Sequence, residues 1–101
     1  ADLVIGHHPH VLQPIEKYKN GYIFYSLGNF VFDQMWSNET RESIALRIIF
    51  SPKAIKAIQI YPLFIENSGQ PKIINASNSP EHYQNIIQKI NLVDKKIKII
   101  Q

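Results

Sequence analysis

The chain has 101 residues, 45% of them hydrophobic and none of them cysteine, and its 11 basic and 8 acidic side chains leave a net charge of +3. That apolar content suffices for one packed domain and excludes intrinsic disorder and a disulfide-stapled scaffold. The mild charge argues against nucleic-acid binding, and no apolar run approaches the roughly 20 residues that cross a bilayer as a helix.

Leu3-Val4-Ile5 is a short apolar run closed by Gly6, the pattern of a buried strand entering a turn. The turn, Gly6-His7-His8-Pro9-His10, holds three of the four histidines. Pro9 fixes its own φ and biases His8 toward extended backbone. Period-two alternation then predicts that His8 and His10 point to one side and His7 to the other. Two neutral imidazoles converging at the rim of a sheet suit a divalent metal. The alternative is a surface turn without a ligand, in which His7 is only a hydrogen-bonding neighbour.

Asn20-Gly21 lies between two aromatic and β-branched runs, so residues 15–19 and 22–27 are expected to pair as a hairpin with those two at its turn. The second strand is apolar on both faces apart from Ser26 and is expected deep in a sheet. Gly28 allows a sharp turn or a close backbone approach. Asn29 can cap, bond a backbone group or donate a carbonyl oxygen. Phe30 and Phe32 are expected to pack. Asp33 to Thr40 reads as an irregular loop in which Met35 and Trp36 pack on the sheet edge or rim a pocket.

From Ser43 to Phe50 the pattern alternates, with Ile44, Leu46, Ile48 and Phe50 on one face and Ser43, Ala45 and Arg47 on the other. Ser51-Pro52-Lys53 turns the chain into a return strand over 54–61. Pro62 is expected to end ladder pairing, ahead of a short apolar run at Leu63-Phe64-Ile65. A further edge strand is expected at 72–74. Ser79-Pro80-Glu81 opens the one helix: Ser as N-cap, Pro at the first position and Glu in the first turn. Tyr83, Ile86, Ile87 and Ile90 form its packing stripe, which leaves His82 exposed. Residues 93–101 read as a last strand or a frayed tail. Lys95, Lys96 and Lys98 read as a solvated edge.

Two segments carry a resemblance. Val4 to Glu16, with Gly6-His7-His8-Pro9-His10 and then Gln13-Pro14-Ile15-Glu16, is followed by Tyr25-Ser26-Leu27-Gly28-Asn29-Phe30. Together they resemble the CapA family of bacterial capsule-synthesis proteins linked to poly-γ-glutamate, whose fold is similar to that of calcineurin-like metallophosphoesterases. The family pattern reads Gly-x-His-Pro-His, Gln-x-x-Glu and Tyr-Ser-Leu-Gly-Asn-Phe, and each fixed position is matched. The resemblance is strong over residues 2–33 and thin beyond about residue 66.

The resemblance implies an α/β fold, with residues 1–101 as the C-terminal part of a single metallophosphoesterase-like β-sandwich flanked by helices. This piece is then mostly antiparallel hairpins plus one helix near 80–92. By position, His8 and His10 look like the metal-ligand pair. His7, Glu16, Ser26 and Asn29 are candidates for supporting the ligands or touching substrate. The implied cofactor of the intact parent is a divalent metal, with Mn, Fe or Zn ahead of Mg or Ca. The remaining ligands would come from upstream, because the chain opens without Met in the middle of a strand-like run. The piece alone is therefore expected to be inactive. Implied partners are the upstream part of the same domain, an anionic polymer such as poly-γ-glutamate, and capsule synthase components. The implied location is the cell envelope, outside the cytoplasm, anchored if at all through upstream sequence; the absence of cysteine fits that setting.

Three functions compete. The first is metal-assisted hydrolysis or transfer by the intact parent. The second is a non-catalytic component that grips an anionic capsule polymer, with Arg47, Lys17 and Lys19 as partners for its carboxylates. The third is a structural piece that completes the parent sheet and exposes strand edges when isolated.

Overall fold

The computed structural model describes residues 3–30, 37, 39–91, 94 and 96–100. The packing expected of Phe32 and the loop holding Asp33, Met35 and Trp36 lie outside these residues. Two sheets share one core. In the first, β1 (Leu3–Ile5), β2 (Ile15–Tyr18) and β3 (Gly21–Phe24) run in the order β1-β3-β2. β3 is antiparallel to β2 and parallel to β1. Its central place buries Tyr22 and Phe24, as its two-sided apolar pattern requires.

The hairpin register differs from the expected one. Tyr18 pairs with Gly21, so Lys19 and Asn20 make the turn and Gly21 belongs to the strand. Lys19 takes the left-handed conformation at φ 55 that Gly would have accepted more readily. β1 also departs from expectation. Val4 is 48% and Ile5 43% exposed, because β1 pairs only with β3 among the described residues and forms the sheet edge.

The second sheet is built on a long hairpin of β4 (Glu42–Phe50) and β5 (Ile55–Ile65). β6 (Pro71–Ile73) adds antiparallel to one end of β5, and β7 (Ile97–Ile99) adds parallel to the other. Ile44, Ile58 and Ile60 turn inward as their alternation predicts. Phe50 does not. A register shift between Ile49 and Phe50 breaks the alternation and leaves Phe50 60% exposed.

Pro62 does not end the ladder; it pairs with Ile44 inside β5. The Ile44 N–H donates to the Leu27 carbonyl at 3.1 Å, away from β5, so this is a non-hydrogen-bonded pair. The missing N–H of Pro62 therefore faces the far side, in the gap between β7 at residues 58–60 and β6 at 63–65. No ladder bond is lost there.

The helix α1 (Pro80–Ile90) begins at Pro as expected, but the Ser79 side chain makes no cap bond. Tyr83, Ile86 and Ile90 pack into the core, and Asn91 closes the helix in the left-handed conformation, its N–H donating to the Ile87 carbonyl. Among the described residues the result is mostly antiparallel strands with one helix. Among the described residues, no helix is long and apolar enough to cross a membrane.

Candidate functional site

Gly6 carries the chain from β1 into the histidine turn. Its N–H donates to the Phe24 carbonyl at 2.8 Å, and its carbonyl accepts the Leu27 N–H at 3.1 Å. A Cβ at Gly6 would stand 2.5 Å from the Tyr25 carbonyl oxygen, so only glycine lets the two segments lie this close. These bonds set the turn beside residues 25–29.

The turn itself is not extended. The His10 N–H donates to the His7 carbonyl at 3.0 Å, which makes His8 and Pro9 the central residues of a β-turn. His10 follows at φ 61, a left-handed conformation. The period-two argument for His8 and His10 therefore does not apply. A closed turn forms instead, because the polar segment at 28–29 fastens both of its ends.

His10 Nδ1 lies 2.9 Å from Asn29 Oδ1. The amide of Asn29 is oriented by its other end, where Nδ2 donates to the Thr40 carbonyl at 3.0 Å. Oδ1 must then accept, so Nδ1 of His10 donates, and in the neutral imidazole this is the tautomer whose lone pair lies on Nε2. His7 is fastened in the same way, Nδ1 donating to the Gly28 carbonyl at 3.3 Å. Among the described residues no hydrogen bond holds the His8 ring. The three rings are exposed. Among the described residues no group of three or more His, Cys, Asp or Glu side chains is placed to hold a metal ion.

Asn29 and Ser26 are buried beneath the turn. Ser26 Oγ accepts the Gly28 N–H at 3.2 Å, and Gly28, at φ 79, presses against Glu42 and Ser43 at the start of β4. Glu16 stands apart on the exposed face of β2, where Tyr25 Oη donates to its carboxylate. Tyr25 was not among the residues singled out by sequence. The register Glu16–Ile23 places it diagonally across from Glu16, so correct pairing would have found it.

The Glu16 carboxylate holds the Tyr25 phenol above its ordinary pKa by accepting its proton in a hydrogen bond. A raised value favours the folded state below the ordinary phenol range, and that preference fades as pH rises through the folded value. Glu16→Gln is expected to move the Tyr25 ionisation to lower pH in ultraviolet absorbance titration. An unmoved midpoint would mean the bond does not form in solution.

His82 departs most from the sequence reading. It is not a free surface residue: it stacks on Phe64 with ring centroids 3.9 Å apart, and its Nδ1 lies 2.8 Å from Glu42 Oε2. Asn85 Nδ2 donates to the same oxygen at 3.1 Å. Glu42 is a buried carboxylate, so α1 is fastened to the first residue of β4, two residues after the Thr40 carbonyl.

The model of the family described as bacterial capsule synthesis protein PGA_cap matches residues 1–34, which contain the whole histidine turn and Asn29. The chain is 44% identical over 77 residues to the capsule biosynthesis protein CapA of Bacillus anthracis, covering 76% of this chain and 18% of that one. It is 46% identical over 68 residues to the PGA biosynthesis protein CapA of Bacillus subtilis, covering 67% of this chain and 18% of that one. An uncharacterised protein of Sinorhizobium fredii is 57% identical over 35 residues, 35% of this chain and 8% of its own. The chain thus spans under a fifth of the length of the CapA proteins it matches. With the family model covering the histidine turn and its Asn29 anchor, and two CapA proteins matching over two thirds or more of this chain, the chain belongs to the CapA family of bacterial capsule synthesis proteins.

Proposed function

We propose that this chain is the C-terminal part of a CapA-type, metallophosphoesterase-like domain acting in poly-γ-glutamate capsule biosynthesis at the cell envelope. His8 and His10 hold a divalent metal together with residues of the upstream part of the domain. The observation that carries this reading is the chain of bonds from Thr40 through Asn29 to His10. It fixes the imidazole tautomer that leaves Nε2 basic, as a supporting carbonyl does for metal-binding histidines. Two imidazoles are a partial donor set, which is consistent with further ligands outside this chain.

With nitrogen and oxygen donors, Mn, Fe or Zn fits better than Mg or Ca. Such a metal would supply Lewis acidity for hydrolysis or transfer. This chain's residues orient the imidazoles: Asn29 holds His10, Ser26 braces Gly28, and the Gly28 carbonyl holds His7.

The test is metal content by elemental analysis of the full-length protein. His8→Ala and His10→Ala are each expected to lose most of the bound metal, and Asn29→Ala to weaken metal affinity by roughly 10- to 100-fold. Unchanged metal in the histidine variants would overturn the assignment.

A second reading is a non-catalytic component that grips an anionic polymer. It is favoured by the lysines that gather around the tip of the β2–β3 hairpin. Lys17 stands in that group, whereas Lys19 lies over the Tyr18 ring and Arg47 is exposed on β4. Polymer binding that persists in chelator, without turnover, would favour it over the first.

A further inference from the structure

We propose that the cavity of about 430 Å³ between the start of β4 and the second half of α1 binds a calcium ion. Its oxygen-bearing side chains come from two parts of the fold: Glu39 and Glu42 at the entry to β4, Asn85 and Gln88 on α1. It shares no residue with the histidine turn and stands independently of the reading above.

The carboxylate of Glu42 is the starting point. Glu42 is only 2% exposed, yet it lines this cavity. Both of its hydrogen bonds fall on one oxygen: Oε2 accepts from His82 Nδ1 at 2.8 Å and from Asn85 Nδ2 at 3.1 Å. The other oxygen, Oε1, accepts no hydrogen bond among the described residues, and no lysine or arginine among them pairs with this carboxylate. A buried carboxylate is stable when it is paired with a cation or ligates a metal. Oε1 therefore needs a positive charge on the cavity side.

The other donors suit a hard cation. The Asn85 amide donates to Glu42 through Nδ2, which leaves its carbonyl oxygen as an acceptor. Gln88 follows three residues later on the same face of α1 and adds a second amide oxygen. Glu39 adds a carboxylate that is 67% exposed. Two carboxylates and two amides make an all-oxygen set, which suits calcium better than zinc, copper or iron. Calcium also accepts the irregular geometry of side chains from two elements, which magnesium does not. Only two of the donors are acidic, so the set is not one of the groups of three His, Cys, Asp or Glu that the described residues lack. One ammonium also lines the cavity: Lys89 Nζ lies 3.5 Å from Glu39 Oε2. That pair is exposed at Glu39 and weakly held, so an incoming divalent ion displaces the ammonium.

The test follows the Gln88 side-chain amide by NMR in the full-length protein with ¹⁵N-labelled glutamine, the signal assigned through Gln88→Ala. Calcium chloride is titrated against sodium chloride at matched ionic strength, with magnesium chloride as a further arm. A saturable calcium shift is expected, with a dissociation constant on the order of 10⁻⁴–10⁻³ M, the weak end of the range that ligand charge and rigidity set. Glu39→Ala, at an exposed position without core packing, is expected to weaken it at least about tenfold. Lys89→Gln, which removes the competing ammonium, is expected to tighten it. The His8→Ala/His10→Ala double variant is expected to keep the shift, which separates this site from a metal at the histidine turn. A shift that grows linearly, or equally with sodium, would overturn the proposal. So would full affinity in Glu39→Ala, weaker binding in Lys89→Gln, loss of the shift in the histidine double variant, or saturation by magnesium with none by calcium.

Discussion

Replacing Gly28 by alanine is expected to destabilise the protein by about 3 kcal/mol, the sum of left-handed strain and overpacking. Gly28 sits at φ 79, where an L-residue loses roughly 1–2 kcal/mol. The added Cβ would also lie 2.9 Å from Ser43 Cβ and 3.0 Å from the Glu42 carbonyl oxygen. Both neighbours are buried at the start of β4, a strand held along its length by β5, so neither can yield cheaply. Overpacking of this kind adds about 1–3 kcal/mol. Urea unfolding should show a lower midpoint at unchanged slope. Because the Gly28 carbonyl holds His7 and the next residue holds His10, the variant should also broaden the NMR signals of both rings. A loss under about 1 kcal/mol would mean that residues 27–29 do not press on β4, since strain and overpacking would then both be absent.

The second large effect is expected at the buried carboxylate of Glu42, which is 2% exposed and accepts from His82 and Asn85. His82→Leu removes the stronger partner and leaves a buried charge on one amide. A cost of roughly 3 kcal/mol follows, as for other buried pairs broken on one side. Glu42→Leu combined with His82→Leu should return to within about 1 kcal/mol of the parent, because the desolvated charge has gone. Denaturant unfolding of the two single variants and the double variant gives the coupling directly. Simple additivity of the two losses would show that the pair does not interact in solution.

What could be read in the sequence was periodicity and turn chemistry. The alternation of Ile44, Leu46 and Ile48, the helix start at Pro80 and the burial of Tyr22 and Phe24 follow from local pattern alone. What could not be read depended on neighbours distant in the chain. Pro62 looks like a strand breaker until its nitrogen is seen to face a gap between two short strands. His82 lies off the apolar stripe of its helix, and only the approach of β4, 40 residues earlier, gives it a partner. Val4 and Ile5 read as buried because their composition is apolar, but a strand's exposure depends on how many neighbours it has. At the histidine turn, the Pro9 rule favoured extension, and the tertiary bonds from Gly28 and Asn29 outweighed it.

Residues 40–44, which lead into β4 and open it, have a consequence for how the molecule can be divided. Thr40 holds Asn29, Glu42 holds the helix, the Ile44 amide reaches back to Leu27, and Arg41 accepts from Ile65. A peptide cut after Phe30 would keep the three histidines and forfeit the scaffold that aims them. Calorimetry should accordingly record one heat-absorption peak rather than two, and the smallest unit worth grafting or re-engineering extends through Ile90.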